Sequence, residues 1–419
     1  MSNQSSIKKT LFYSSLGGVL EFYDFIIFAL YAAIISQQYF PTGNAVSGML
    51  LTFSVFSIGY LARPVGGIIF GHFGDKYGRK KTFTWSIIIM AMSTLLIAFI
   101  PPYSAIGIMA PILLTILRLS QGMSIGGEIP GAITFVSEVA PKNRTFACAI
   151  IFFGLIFGII LGGLINIVLN SIFNPENMAL YGWRVAFIIG GIFGFWGFYL
   201  RKKLSETPIY KEMKALESNK VPIVKVIKEF PLQVFSGWCL CGLVSAGIMA
   251  IFMLMPAYAK LAGLSDEFGL TMTTSVLFIT LFGVVAFGII GDLIRKRILI
   301  AIGIILSLVF TVMMFQSIID HSYSFVAIIL FSIMTFGIFT GVVPSVLADS
   351  FPTDVRYSGV GLVYNISFAT TGGLAPIIIM SLISARGDLL MPAYYFIAAC
   401  IFGIFGLIFY PKDYISPAK

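Results

Sequence analysis

Charge is scarce in this 419-residue chain: 11% of its residues are Asp, Glu, Lys or Arg, against 58% hydrophobic. A soluble globular domain carries about a quarter charged residues, so the composition excludes one. Histidine is nearly missing, with His72 and His321 alone. No H-E-x-x-H pair exists, and no metal site is expected. No G-x4-G-K-[ST] loop is present to cradle a nucleotide, which argues against an ATP-driven pump, and no nucleophile elbow offers a catalytic serine. The four cysteines, Cys148, Cys239, Cys241 and Cys400, all fall in apolar runs and read as small buried hydrophobes. Cys239 and Cys241 are two apart and face different ways on a helix, so no disulfide framework follows. With so little to catalyse with, the chain is not expected to be an enzyme or to need a cofactor.

Apolar length is what the chain has. Runs long enough to cross a bilayer, which takes about 20 residues each, lie near 12–35, 47–70, 83–100, 106–136, 146–169, 183–200, 231–257, 269–290, 298–318, 323–347, 357–384 and 392–410. Twelve spans make an all-α polytopic membrane protein, with membrane lipid as its first partner. The first run carries Glu21 and Asp24 and is followed by no small-residue cleavage site, so it reads as a retained span.

The net charge of +9 could suggest nucleic acid, but its distribution points to topology. Of the 27 Lys and Arg, only Lys260 and Arg386 fall in the loops opposite the termini, and Arg63, Arg118 and Arg184 lie in or beside spans. The rest collect in alternate loops on the side of both termini. By the positive-inside rule that side is cytoplasmic, and no nucleic-acid partner is expected.

The chain also repeats itself. Gly71, Gly74 and Asp75 are echoed by Gly288, Gly291 and Asp292; Glu138 and Pro141 by Asp349 and Pro352; Gly162-Gly163-Leu164 by Gly372-Gly373-Leu374. These echoes in register divide the chain into a six-span half at 1–200, a charged linker at 201–230 and a second half at 231–419. Their interface near the membrane midplane is the place for a small-molecule ligand.

Ionisable residues inside spans are functional candidates, since each costs about 2.5–3.5 kcal/mol to insert. Glu21 and Asp24 are three apart on one face of the first span. Two carboxylates that close and poorly hydrated suit a group that binds and releases a proton. In the fourth span Arg118 and Gln121 share a face, and Gly122 and Gly126 offer another side for close helix packing. Arg118 can attract a carboxylate of the first span or an anionic ligand, so Asp24 with Arg118 would form a pair that protonation releases. Arg63 and Glu128 lie at similar depth, roughly 14 Å from the basic ends of their spans at about 1.5 Å per residue, and read as a structural ion pair. Tyr23, Trp238, Tyr364 and Asn365 are the polar-tipped residues placed in the cavity.

Between the second and third spans, Gly71 to Lys81 reads as a tight polar loop, GHFGDKYGRKK, held on the basic side by Lys76, Arg79, Lys80 and Lys81. Its lone acid, Asp75, can cap a helix N-terminus or pair with a base. The pattern resembles the G-x3-D-[RK]-x-G-[RK]-[RK] signature of the major facilitator superfamily, and Arg118 to Gly126 resembles that superfamily's R-x2-Q-G-x3-[GA]. Leu20 to Phe25, Tyr60 to Gly67, Gly126-Gly127-Glu128, Trp183-Arg184, Ser205 to Pro208, Phe351 to Gly359, Tyr364-Asn365 and Gly372 to Pro376 narrow the likeness to the metabolite:proton symporter family, which includes proline/betaine, α-ketoglutarate, citrate and shikimate permeases.

That resemblance implies twelve helices in two six-helix pseudo-repeats and proton-coupled uptake of a small polar metabolite, a proline/betaine-type zwitterion or an organic carboxylate, by alternating access. It further implies a bacterial inner-membrane location, a monomeric functional unit and a proton gradient in place of any cofactor. Asp24, Glu21 and Arg118 would couple the proton, with Arg118 and Gln121 also at the substrate. Gly71, Asp75, Gly78, Arg79, Glu138, Asp292, Asp349 and Arg356 would form the gate, with Asp75 at the start of the eleventh span near Arg356 to Ser358 and Arg79 against Glu138. Arg295 stands where the second-half signature has its last glycine, which weakens the mirror-image gate. An antiporter of the superfamily would carry G-P-x-x-G-G where this chain reads Gly158-Ile159-Ile160-Leu161-Gly162-Gly163. Efflux, or a receptor on the same fold, stays open as an alternative.

Overall fold

The computed structural model describes residues 2–42, 45–214, 222–255, 258, 261–264, 266–322, 329–330 and 332–410; linker residues 215–221 and Lys260 lie outside them. Among the described residues there is no strand. Among these residues eleven helices are long and apolar enough to cross a membrane, and a shorter apolar one, Ile338–Asp349, takes the tenth place. Numbering only the spanning helices, these are α1 (Ser2–Leu30), α2 (Ala45–Tyr77), α3 (Arg79–Ile97), α4 (Met109–Val139), α5 (Arg144–Ile172), α6 (Trp183–Lys202), α7 (Pro231–Gly247), α8 (Asp266–Leu293), α9 (Lys296–Ile319), α10 (Ile338–Asp349), α11 (Arg356–Ser367, carried on by a π turn and Ala375–Arg386) and α12 (Met391–Ile408). Large apolar side chains such as Leu61, Ile167, Phe282 and Ile377 stay exposed on their outer faces. Apolar residues all round such helices suit a lipid surround, where the backbone hydrogen bonds close within each segment.

Close helix contacts position the charged side chains. A Cβ at Gly122 would lie 1.9 Å from the Gly59 carbonyl oxygen, and one at Gly126 would lie 2.1 Å from that of Arg63. Helices α2 and α4 therefore touch backbone to backbone, which larger residues forbid. The two halves meet along two seams related by the repeat, α2 on α11 and α5 on α8.

The segment expected as a polar loop is instead two helix ends. Helix α2 runs on to Tyr77, α3 begins at Arg79, and Gly78 alone separates them at φ +123°, a region open to glycine and strained for other residues. Helical continuation keeps Gly71, Gly74 and Asp75 on one face, aimed at α11. Beyond α6, the linker acid Glu206 accepts from the Lys80 N–H at 3.1 and 3.2 Å and so caps the start of α3. Helix Pro222–Glu229 buries Val226, and its Lys225 pairs with Asp354 of the second half. The described linker is thus fastened to both halves at the basic end.

Gly126→Val should disrupt the α2–α4 crossing and cost about 1–3 kcal/mol or more. Thermal melting of the detergent-purified protein checks this. Gly163→Ala, where a Cβ meets nothing within 4 Å, is the control expected to melt like the wild type.

Candidate functional site

Asp24, in the last two turns of α1, is buried with both carboxylate oxygens hydrogen-bonded. Arg118 Nη1 donates to its Oδ2 at 2.7 Å, while Thr94 Oγ1 and Gln121 Nε2 donate to Oδ1 at 3.0 and 2.9 Å. The Arg118 guanidinium also lies 3.7 Å over the Phe28 ring. Its Nε and Nη2, together with Gln121 Oε1, are buried without hydrogen-bond partners.

One turn along α1, Glu21 faces a different arginine. Its Oε1 lies 3.4 Å from Arg63 Nη2, and neither carboxylate oxygen has a hydrogen-bond partner. Arg63 Nε and Nη2 are likewise without one, and the guanidinium is surrounded by the rings of Tyr60, Tyr364 and Phe368 at 5.2, 5.7 and 5.2 Å. A pocket of about 30 Å³ joins the two pairs and is lined by Glu21, Asp24, Arg63, Arg118, Gln121 and Tyr60, among others. Two acids and two arginines therefore share one pocket with no net formal charge.

Arg63 and Glu128 do not pair. Glu128 is held by Arg201, from the last turn of α6, and by Ser86 of α3, while Arg201 also donates to the carbonyls of Tyr13, Ser14 and Phe83. Equal depth fixes height but not direction. At about 100° per residue, Glu128 points about 140° away from the Gly122/Gly126 face on which α2 lies. In the sequence Arg201 is simply the first residue of the charged linker. Its signal was being arginine beside Lys202 and Lys203, since a planar fork suits a buried carboxylate better than an ammonium.

Two of the residues placed in the cavity lie elsewhere. Tyr23 donates to the Ala186 carbonyl at 2.7 Å within the first half, and its ring lines an apolar groove between α1, α5 and α6. Trp238 donates to Thr370 Oγ1 at 3.0 Å and packs on Phe235 and Phe402, on the α12 flank of α7. Periodicity marks neither as turned away, because these helices are apolar on all sides. Tyr364 does reach the site, with its ring beside Arg63 and its hydroxyl unpartnered. Asn365 spans the two halves instead, donating to the Gly126 carbonyl at 2.8 Å. That carbonyl is free because Pro130, four residues on, has no N–H.

Below the pocket, at the basic end, the halves are bolted together. Asp75 accepts from the backbone N–H groups of Tyr357 and Ser358 at 3.2 and 2.8 Å, at the N-terminus of α11 where a carboxylate is favoured. Arg79 pairs with Asp75 and lies 3.5 Å from Glu138, which also meets Arg356 at 3.0 Å and accepts from Thr207 of the linker at 2.7 Å. Tyr357 donates to the Gly127 carbonyl at 2.7 Å, and its ring fills the space left by Gly74, while Gly71 lets Ser358 approach. The second half repeats this plan. Asp292 accepts from Thr145 and Phe146 N–H at 2.8 and 3.0 Å, at the start of α5, and Asp349 binds both Arg144 and Lys296. Arg295 in place of the last glycine leaves these contacts intact. The mirror set is more exposed, with the Asp349 side chain 14% accessible against 0% for Glu138, so solvent screens it more.

The sequence profile of the Major Facilitator Superfamily matches residues 15–363. The chain belongs to this superfamily. A putative proline/betaine transporter of Staphylococcus aureus (strain MSSA476) is 33% identical over 98% of this chain and 89% of its own, and the proline/betaine transporter of Escherichia coli (strain K12) is 33% identical over 96% and 83%. A solved proton:xylose symporter of the superfamily, bound to 6-bromo-6-deoxy-D-glucose, superposes with a TM-score of 0.82 at 16% identity, covering 97% of this chain and 95% of that one, a likeness of fold. The chain is therefore a multi-pass membrane transporter, homologous to proline/betaine transporters and not an enzyme.

Asp75→Asn removes the charge that holds α11 and should raise the open-to-closed ratio at this end about tenfold or more, the equivalent of a charge-assisted hydrogen bond. Spin-label distances between cysteines placed at the exposed positions Lys81 and Arg297 check this. A longer-distance population is expected in the variant.

Proposed function

We propose that the protein is a proton-coupled importer of a small zwitterion of the proline/betaine kind, working by alternating access in a bacterial inner membrane. The basic end, with both termini, faces the cytoplasm, and a monomer is the functional unit. The observation that carries this reading is the Asp24–Arg118 pair: a buried carboxylate tied to a guanidinium with spare donors, beside a second acid–arginine pair in the same pocket. Protonating Asp24 removes the charge that holds Arg118 and frees its fork, whereas Arg118 itself stays charged. A pocket with two acids and two arginines admits a zwitterion without net charge change. An organic dicarboxylate would leave two negative charges to be offset. The names of the relatives at 33% identity favour the same substrate class.

The paired cytoplasmic bolts supply the alternation. With Asp75, Glu138, Asp292 and Asp349 engaged, the pocket is sealed from the basic side, and inward release requires all four to let go. A neutral cargo travelling with one proton carries one positive charge, so the interior-negative membrane potential adds to the pH gradient.

In proteoliposomes with an imposed proton gradient, labelled proline or glycine betaine should accumulate, and an uncoupler should abolish it. Accumulation driven by sodium alone would sink the proton reading. Asp24→Asn imitates the protonated acid: uphill accumulation should fall to background while downhill counterflow survives. Wild-type pH dependence in that variant would move the proton site elsewhere.

A further inference from the structure

The two acid–arginine pairs of the pocket are built to different standards. Asp24 accepts three hydrogen bonds, shared between both of its oxygens, whereas the Glu21–Arg63 pair leaves both carboxylate oxygens and two guanidinium nitrogens unpartnered, on residues only 2% exposed. A buried ion pair offsets its desolvation only when its remaining donors and acceptors are met. Another buried pair, Arg201–Glu128, shows what such completion looks like here, with backbone carbonyls and Ser86 filling the remaining positions. Around Arg63 the neighbours are instead the rings of Tyr60, Tyr364 and Phe368, from both halves, with the Tyr60 and Tyr364 hydroxyls beside the guanidinium but Nε and Nη2 still unpartnered. Ring faces attract a cation without offering it an acceptor.

We infer that Glu21 and Arg63 are the seat of the zwitterion: the substrate parts them, its carboxylate taking the Arg63 fork and its ammonium taking Glu21 and the ring faces of Tyr60, Tyr364 and Phe368. This rests on the proposed function and narrows it, removing Glu21 from the proton relay and leaving the proton to Asp24. The pocket of about 30 Å³ has room for one water, so a larger ligand enters only as Arg63 withdraws from the rings. The exchange keeps charges paired throughout. Arg63 trades one carboxylate for another, Glu21 trades a guanidinium for an ammonium, and the rings trade one cation for another. A lone cation would leave Arg63 unpaired, and a lone carboxylate would leave Glu21 unpaired; both are disfavoured in a buried site. The seat thus selects for both charges on one molecule. Because two of the rings come from α11 and the ion pair from α1 and α2, the seat forms only when the halves are together.

Binding of labelled glycine betaine to the full-length protein in proteoliposomes without a gradient tests the assignment. On the wild type, unlabelled proline should displace it, while choline, which lacks the carboxylate, and propionate, which lacks the ammonium, should not. Glu21→Gln should weaken betaine binding about tenfold or more. Phe368→Leu, which keeps the ion pair and tests the seat if the charge variant does not insert, should weaken it about threefold to tenfold. Wild-type affinity in either variant, shown monodisperse and properly melting, overturns the seat while leaving the transport function standing. Displacement by choline or propionate as effective as by proline also overturns it. A wild-type protein that binds neither betaine nor proline overturns the proposed function and the seat together.

Discussion

A charge buried in a bundle that faces lipid has to be met by an opposite one, and the internal design of this transporter follows from how completely each is met. Breaking a buried pair costs about 3–5 kcal/mol, so a pair that must open needs another partner waiting, and one that must hold needs none. Arg201 and Glu128 are of the holding kind, closed in by Ser86 and three backbone carbonyls. Asp24 is bonded at both oxygens while Arg118 leaves Nε and Nη2 unpartnered, the asymmetry that the proposed proton exchange calls for. Glu21 and Arg63 are incomplete on both sides, which is the ground on which the zwitterion seat is proposed.

The closed basic end obeys the same constraint in duplicate. Asp75 and Asp292 sit at helix N-termini, Glu138 and Asp349 each gather two bases, and Arg356 and Arg144 answer one another across the pseudo-repeat. The copies are unequal in burial, and the equivalent of Arg79 is Lys296, an ammonium that binds as a point charge without a fork. The bolt built on Asp75 and Arg79 is thus the more deeply desolvated of the two and the more costly to undo.

Much of this was legible in the chain because it rests on quantities a sequence carries directly. Span number follows from apolar length, the Asp24–Arg118 pair from opposite charges inside the first and fourth spans, and the Asp75 contact with α11 from the resemblance to the superfamily's signature. Depth does not give azimuth, however, and the partners of Arg63 and Glu128 were set by the direction of the Gly122/Gly126 face, which holds α2 away from Glu128. Tyr23 and Trp238 escaped for a related reason: helices apolar on every side have no polar face to say which way a polar-tipped aromatic points. Gly71 to Lys81 looked like a loop because glycine and charge mark turns in water. At a membrane surface the same residues ended one helix and began the next, with only Gly78 needing the left-handed region.

Helix α11 joins the pocket to the bolt. Tyr364 lies beside Arg63, the next residue, Asn365, holds the carbonyl that Pro130 releases on α4, and Tyr357 and Ser358 hold Gly127 and Asp75. Seven residues of helix, about 10 Å, separate the ring at the pocket from the N–H groups at the latch, and a packed helix moves as one body over that length. A ligand that draws the Tyr364 ring toward α1 and α2 therefore acts on the same element that Asp75 grips. Under the proposed alternating access, occupancy of the pocket and closure of the basic end would both be read in the position of this helix, and the Gly126 carbonyl freed by Pro130 is the contact that ties it to α4.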